Sequence, residues 1–140
     1  MAEQSYEIEF EGYWREPNKG NVPSKSGIYC VYGAVHNEAE KNVSLKKLIY
    51  IGESGDVKTR LANHEKLEEW KKHLKQGEVL CYSFGAVPSA SRVRCEAALI
   101  FHHEPPVNTE YAEAFPHDKT SLTLTGKTAL LKTSVVVLRT

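Results

Sequence analysis

The sequence has no net charge, no CxxC pair and no long apolar run, and each absence narrows what the protein can be. Its 18 Lys and Arg are matched by 18 Asp and Glu, so no overall basic surplus marks it as a nucleic-acid binder. No apolar stretch approaches the roughly 20 residues that cross a bilayer, and no membrane partner is expected. The start, Met1 to Phe10, is acidic and polar, without the basic flank and apolar core of a secretory signal. The three cysteines, Cys30, Cys81 and Cys95, are an odd number set among apolar neighbours. Buried free thiols in a reducing cytoplasm fit them better than disulfides or a zinc site. Gly126-Lys127-Thr128 resembles the end of a phosphate-binding loop, but Ser121 stands where its first glycine belongs. No small-molecule cofactor is therefore expected.

What is present is one ordinary domain. The 140 residues can bury a single core without staples, and no repeat or linker divides residues 1–140. The balanced charge is unevenly spread. Residues 1–40 carry 3 Lys/Arg against 7 Asp/Glu, residues 41–75 carry 9 against 5, and residues 76–140 carry 6 of each. The basic middle third is either a solvated helix face or a phosphate-facing surface, and charge alone does not choose.

Alternation in Tyr6-Glu7-Ile8-Glu9-Phe10 predicts a strand with one face in water. Gly27 to Gly33 and Lys47 to Gly52 are dense in β-branched and aromatic residues and predict a core hairpin. Ser54 or Asp56 is placed to cap a helix over 57–74, with Val57, Leu61, Leu67, Trp70 and Leu74 on one face, and Gly77 to end it. Glu78 to Phe84 predicts a third strand and Ser91 to His103 a second helix, stopped by Pro105-Pro106. Ser134 to Leu138 closes the chain as a strand, after a turn-prone stretch through Gly126. The expected fold is α+β, with a small central three-stranded antiparallel sheet flanked by helices and peripheral strands from the termini.

Six ordered elements carry the chemistry: Gly27-Ile28-Tyr29, Tyr50-Ile51-Gly52, Arg60, His64, Glu96 and Asn108. Together they resemble the GIY-YIG nuclease family. The resemblance covers a motif core of 26–110 and leaves 1–25 and 111–140 as extensions. It implies a metal-dependent endonuclease that hydrolyses DNA phosphodiester bonds, with DNA as partner and Mg2+ or Mn2+ as the metal. It also implies that Tyr29 is the general base and Tyr50 its hydrogen-bonding partner.

The residue chemistry is compatible with those roles. Glu96 offers the hard oxygen that Mg2+ prefers, with water and substrate phosphate completing the shell. Arg60 can grip a phosphate with its planar fork. His64, four residues on, is expected on the same helix face, about 5–6 Å away at Cβ, where it could relay a proton or hydrogen-bond a phosphate oxygen near neutral pH. A tyrosine with a pKa of about 10 serves as a base only if cations stabilise the phenolate, for which Arg60 and the strand residue Lys47 are at hand. Asn108 would hydrogen-bond phosphate or hold the metal-site geometry. Gly52 is read as allowing a sharp strand-to-helix turn, and Gly27 as admitting a close backbone neighbour. Taken singly, these residues also read as a solvated glutamate, packing tyrosines and a turn asparagine. The alternatives are thus a catalytically silent nucleic-acid-binding module or a purely structural α+β domain. Cutting duplex DNA and processing branched DNA both stay open, as do monomer and homodimer.

Overall fold

A computed structural model of the protein describes residues 3–140. The elements run β1 (Gln4–Arg15), a 3-10 turn (Glu16–Asn21), β2 (Gly27–Asn37), β3 (Asn42–Ser54), α1 (Val57–Ala62), α2 (Leu67–Lys71), β4 (Val79–Ala86), α3 (Ser89–His103), β5 (Thr120–Gly126) and β6 (Ser134–Val137). All six strands form one mixed sheet in the order β3-β2-β4-β1-β5-β6. No helix among the described residues is long and apolar enough to cross a membrane.

This corrects the expected small three-stranded sheet with peripheral strands. β4 pairs with β2 along one edge and with β1, also antiparallel, along the other. β5 then runs parallel to β1 over its whole length, from Gln4 opposite Thr120 to Phe10 opposite Gly126. The terminal strands are therefore integral to the sheet. The physical reason lies in residues 120–125, Thr-Ser-Leu-Thr-Leu-Thr, read above as part of a turn-prone stretch. They alternate β-branched polar and apolar side chains, a strand pattern, and bury Leu122 and Leu124 while Thr123 and Thr125 face out.

The hairpin is longer than expected, leaving only residues 38–41 as its turn. Its two faces pack differently. Ile28, Cys30, Tyr32 and Ala34 join Ile51, Leu122 and Val135 under α3, whose Cys95, Ala97 and Ala98 are small enough to let the helix settle close to the strands. Tyr29 and Val31 point the other way, into Ile49, Val57, Leu61, Trp70 and Phe84 beneath α1 and α2. Asp56 is the cap that the sequence offered, its Oδ1 accepting the Thr59 N–H at 3.1 Å. The helix expected over 57–74 is broken, with α1 ending at Ala62 and α2 beginning at Leu67. All three cysteines are free and buried.

Candidate active site

The site lies at the outer edge of the sheet, where β3 has no neighbouring strand. Tyr29 pairs with Gly52, and Val31 with Tyr50, so the two phenols are diagonal neighbours with ring centroids 6.2 Å apart. Gly52 lies within β3 and makes no sharp turn into α1, contrary to the expectation. Its missing side chain seats the Tyr29 ring: a Cβ there would collide with the ring Cζ and the hydroxyl. Gly27 has the close backbone neighbour foreseen for it, since a Cβ would meet the Gly85 carbonyl.

His64 is not on α1, and the helical Arg60–His64 spacing does not apply. The chain turns at Asn63, and the imidazole swings inward to 6 % exposure. There it stacks on Trp70 with a centroid distance of 4.3 Å. The break in the helix is what allows this inward turn. The Lys66 N–H donates to Nδ1 at 3.1 Å, and Nε2 stands 2.8 Å from the Tyr29 hydroxyl. Burial, reinforced by the Arg60 charge, lowers the His64 pKa to about 4, so the ring is neutral at pH 7. A neutral imidazole carries one N–H. With Nδ1 accepting, the proton is on Nε2, and His64 donates to Tyr29. This replaces the expected proton relay with a fixed hydrogen-bond donor.

Arg60 closes the last turn of α1. Its two terminal nitrogens bind both oxygens of Glu65, at 2.6 and 2.7 Å. That bidentate pair secures the guanidinium charge and lowers the Glu65 pKa to about 2. The Arg60 charge also acts on the Tyr29 hydroxyl and favours its ionised form. Burial is the main reason that the phenol of Tyr29 titrates far above its ordinary range, with the neighbouring Tyr50 and Glu96 adding to the shift and Arg60 opposing it. Tyr50, only partly buried, is raised to about 12 by burial and by Glu96.

Glu96 approaches from α3, on the opposite face from the Tyr29 ring. Its carboxyl nevertheless lies close enough to the β3 edge for the charge and the backbone of Glu53 to act on its titration. Residues 51 and 53 point their backbone groups the same way. Ile51, accordingly, is bridged by Asn108, whose Oδ1 accepts the Ile51 N–H at 2.9 Å and whose Nδ2 donates to the Ile51 carbonyl at 2.8 Å. Asn108 thus acts as a short stand-in for a neighbouring strand, and these two bonds engage both ends of its amide. Partial burial, together with Glu53 and Glu110, raises the Glu96 pKa to about 8, although Arg92 pulls the other way.

Five of the six residues singled out in the sequence therefore share one neighbourhood: Tyr29, Tyr50, Arg60, His64 and Glu96 are linked by contact or by charge. Asn108 frames that neighbourhood from the edge. Lys47 does not join it, because its Nζ is held by the His73 carbonyl at 2.7 Å and Glu78 at 3.1 Å. Sequence reasoning missed Glu65, Glu53, Glu110 and Trp70. Only Glu65 had a local signal, an acid five residues beyond the arginine. It also missed Arg92, which joins Glu53 of β3 to Ser26 and stands one helical turn before Glu96.

Among the described residues no three His, Cys, Asp or Glu side chains form a metal-binding group by themselves. Glu96 fits a divalent cation on other grounds. Its carboxyl lies near Glu53 and Glu110, and the nearby Arg92 is already paired with Glu53, so a bound positive charge would be favoured there. Comparisons of the chain with protein-family models, curated proteins and solved structures find no match.

Proposed function

We propose that the protein is a metal-dependent endonuclease of GIY-YIG type that hydrolyses phosphodiester bonds in DNA. One observation carries the reading: a phenol hydrogen-bonded to a buried imidazole, with the Arg60 charge close by, lies near the acidic side chain of Glu96 at an open sheet edge.

Tyr29 is the general base. In hydrolysis a water oxygen forms a bond to phosphorus, the bond from phosphorus to the leaving oxygen breaks, and the water proton passes to Tyr29. The buried phenol must first lose its own proton to solvent, and the leaving oxygen takes a proton from a solvent water. The His64 Nε2–H and Arg60 both stabilise the resulting phenolate. Neutralising the Glu96 charge removes one of the effects that hold Tyr29 protonated. Glu96 would hold Mg2+ or Mn2+, and such an ion, when bound, supplies positive charge to the phosphate oxygens. Arg60, released from Glu65, would clasp a phosphate in the same bidentate fashion. Tyr50 packs on the imidazole, with centroids 5.7 Å apart, and helps to wall the site. Asn108 holds the β3 edge on which the site is built.

A specific observation favours a second reading, a silent binding module: Tyr29 is 1 % exposed and the Arg60 fork is engaged by Glu65. The free, buried cysteines support a reducing, cytoplasmic setting for either reading. Supercoiled plasmid, branched and single-stranded DNA, incubated with the protein in Mg2+ and in excess chelator, separate the two. Metal-dependent strand scission supports the nuclease. Binding without scission supports the module.

A further inference from the structure

We infer a second contact for nucleic acid, an anion-binding cavity at the far end of β2 that takes backbone phosphates, and this inference rests on the DNA reading above. Six charged or titratable side chains line this cavity of about 690 Å³: Tyr13, Arg15, His36, Lys41 and Lys127, with Glu38 as the single carboxylate. Three permanent cations against one acid form a local positive excess in a chain whose formal charge is zero.

The pairing of the arginines sets this cavity apart. Arg60 is bound to Glu65, Arg92 to Glu53, Arg139 to Asp118, and Arg94 to Thr120 and two backbone carbonyls. Among the described residues, Arg15 is the one arginine with neither a hydrogen bond nor an ion pair, although it is partly buried. Lys41 and Lys127, whose ammonium groups have no partner among the described residues, as is true of several lysines elsewhere, line this cavity beside it. A planar guanidinium with open donors, flanked by two mobile point charges, is suited to phosphate oxygens.

Position favours a strand of nucleic acid as the source of those phosphates. His36 has the same parity on β2 as Ile28, Cys30, Tyr32 and Ala34, so it lies on the face that α3 covers nearer the site. At about 3.3 Å per residue it is about 23 Å along β2 from the level of Tyr29, whose ring faces the other way, so a duplex that meets both follows the open β3 edge over about seven base pairs. The cavity is open to solvent on the exposed lysine side, as a passing backbone requires.

Fluorescence anisotropy with a labelled duplex, over a salt series in metal-free buffer, tests this without hydrolysis. For Arg15→Ala/Lys41→Ala/Lys127→Ala the slope of log Kd against log salt should become shallower by about 2.7, at about 0.9 per lost phosphate contact. Charge reversal at the two exposed positions, Lys41→Glu/Lys127→Glu, leaves the partly buried arginine in place and should weaken binding by at least roughly tenfold at low salt. Equal slopes for wild type and triple variant, or no duplex binding by the wild type, overturn the proposal. Displacement of the duplex by inorganic phosphate, where chloride of the same ionic strength has no effect, assigns the cavity to free phosphate and overturns it as well. A reduced slope in a protein that cuts no DNA sinks the nuclease reading and leaves this one standing.

Discussion

The imidazole of His64 gives Tyr29 a hydrogen bond and takes no proton from it: Nε2 is 2.8 Å from the hydroxyl, while Nδ1 is engaged by the Lys66 N–H. A donor can be replaced by another donor, whereas a base cannot. His64→Ala should lower the rate of DNA cleavage by roughly a hundredfold, and His64→Gln, which keeps an N–H, should restore part of it. The pH–rate profile of the wild type should show no histidine step between pH 6 and 7, since the ring titrates at about 4.

Glu96 makes stability depend on pH. Its pKa rises from an ordinary 4.5 to about 8 on folding, so below 4.5 both folded and unfolded chains carry the proton and nothing is lost. Between 4.5 and 8 the unfolded chain releases the proton while the folded one retains it, and stability falls as pH rises. Glu96→Gln should remove that decline, leaving the variant more stable than wild type at pH 8.5 by about 2 kcal/mol once solvent screening is discounted. At pH 4 the difference should vanish. Thermal unfolding of both proteins across this range is the measurement. A Mg2+ titration of the wild type should show protection that strengthens with pH up to about 8.

Gly52→Ala places a methyl group where the Tyr29 ring lies. Overpacking of this kind costs about 1–3 kcal/mol. The phenol must shift away from its His64 donor, so activity should fall further than stability. Chemical denaturation gives the first figure, and cleavage by the folded variant gives the second.

Glu65 binds the same fork of Arg60 that a phosphate would use. Glu65→Gln should release that fork and tighten DNA binding by roughly fivefold at low salt. The gain should shrink as salt rises. Weaker binding by this variant would make Glu65 a support for Arg60 rather than its competitor.

Local signals in the sequence anticipate much of the site and little of its assembly. The Asp56 cap, the hairpin carrying Tyr29 and Tyr50, the helix around Glu96 and the burial of the three cysteines all follow from patterns a few residues long. The break at 63–66 does not, because it depends on the space that Trp70 and Tyr29 leave for the His64 ring. The pairing of Asn108 with Ile51 joins residues 57 apart. The sheet itself is completed by β1 against β5, a contact between the two ends of the chain that depends on α3 lying across one face. The alternation over residues 120–125 would have disclosed the strand, though not its neighbour.

The account is tested most directly by the nicking of supercoiled plasmid DNA in Mg2+ by wild type, Tyr29→Phe and Glu96→Gln, each checked for folding by circular dichroism. Nicking by the wild type that stops on chelation and drops at least roughly a hundredfold in both folded variants is the predicted result. Undiminished nicking by folded Tyr29→Phe, or wild-type nicking that persists in excess chelator, would contradict it.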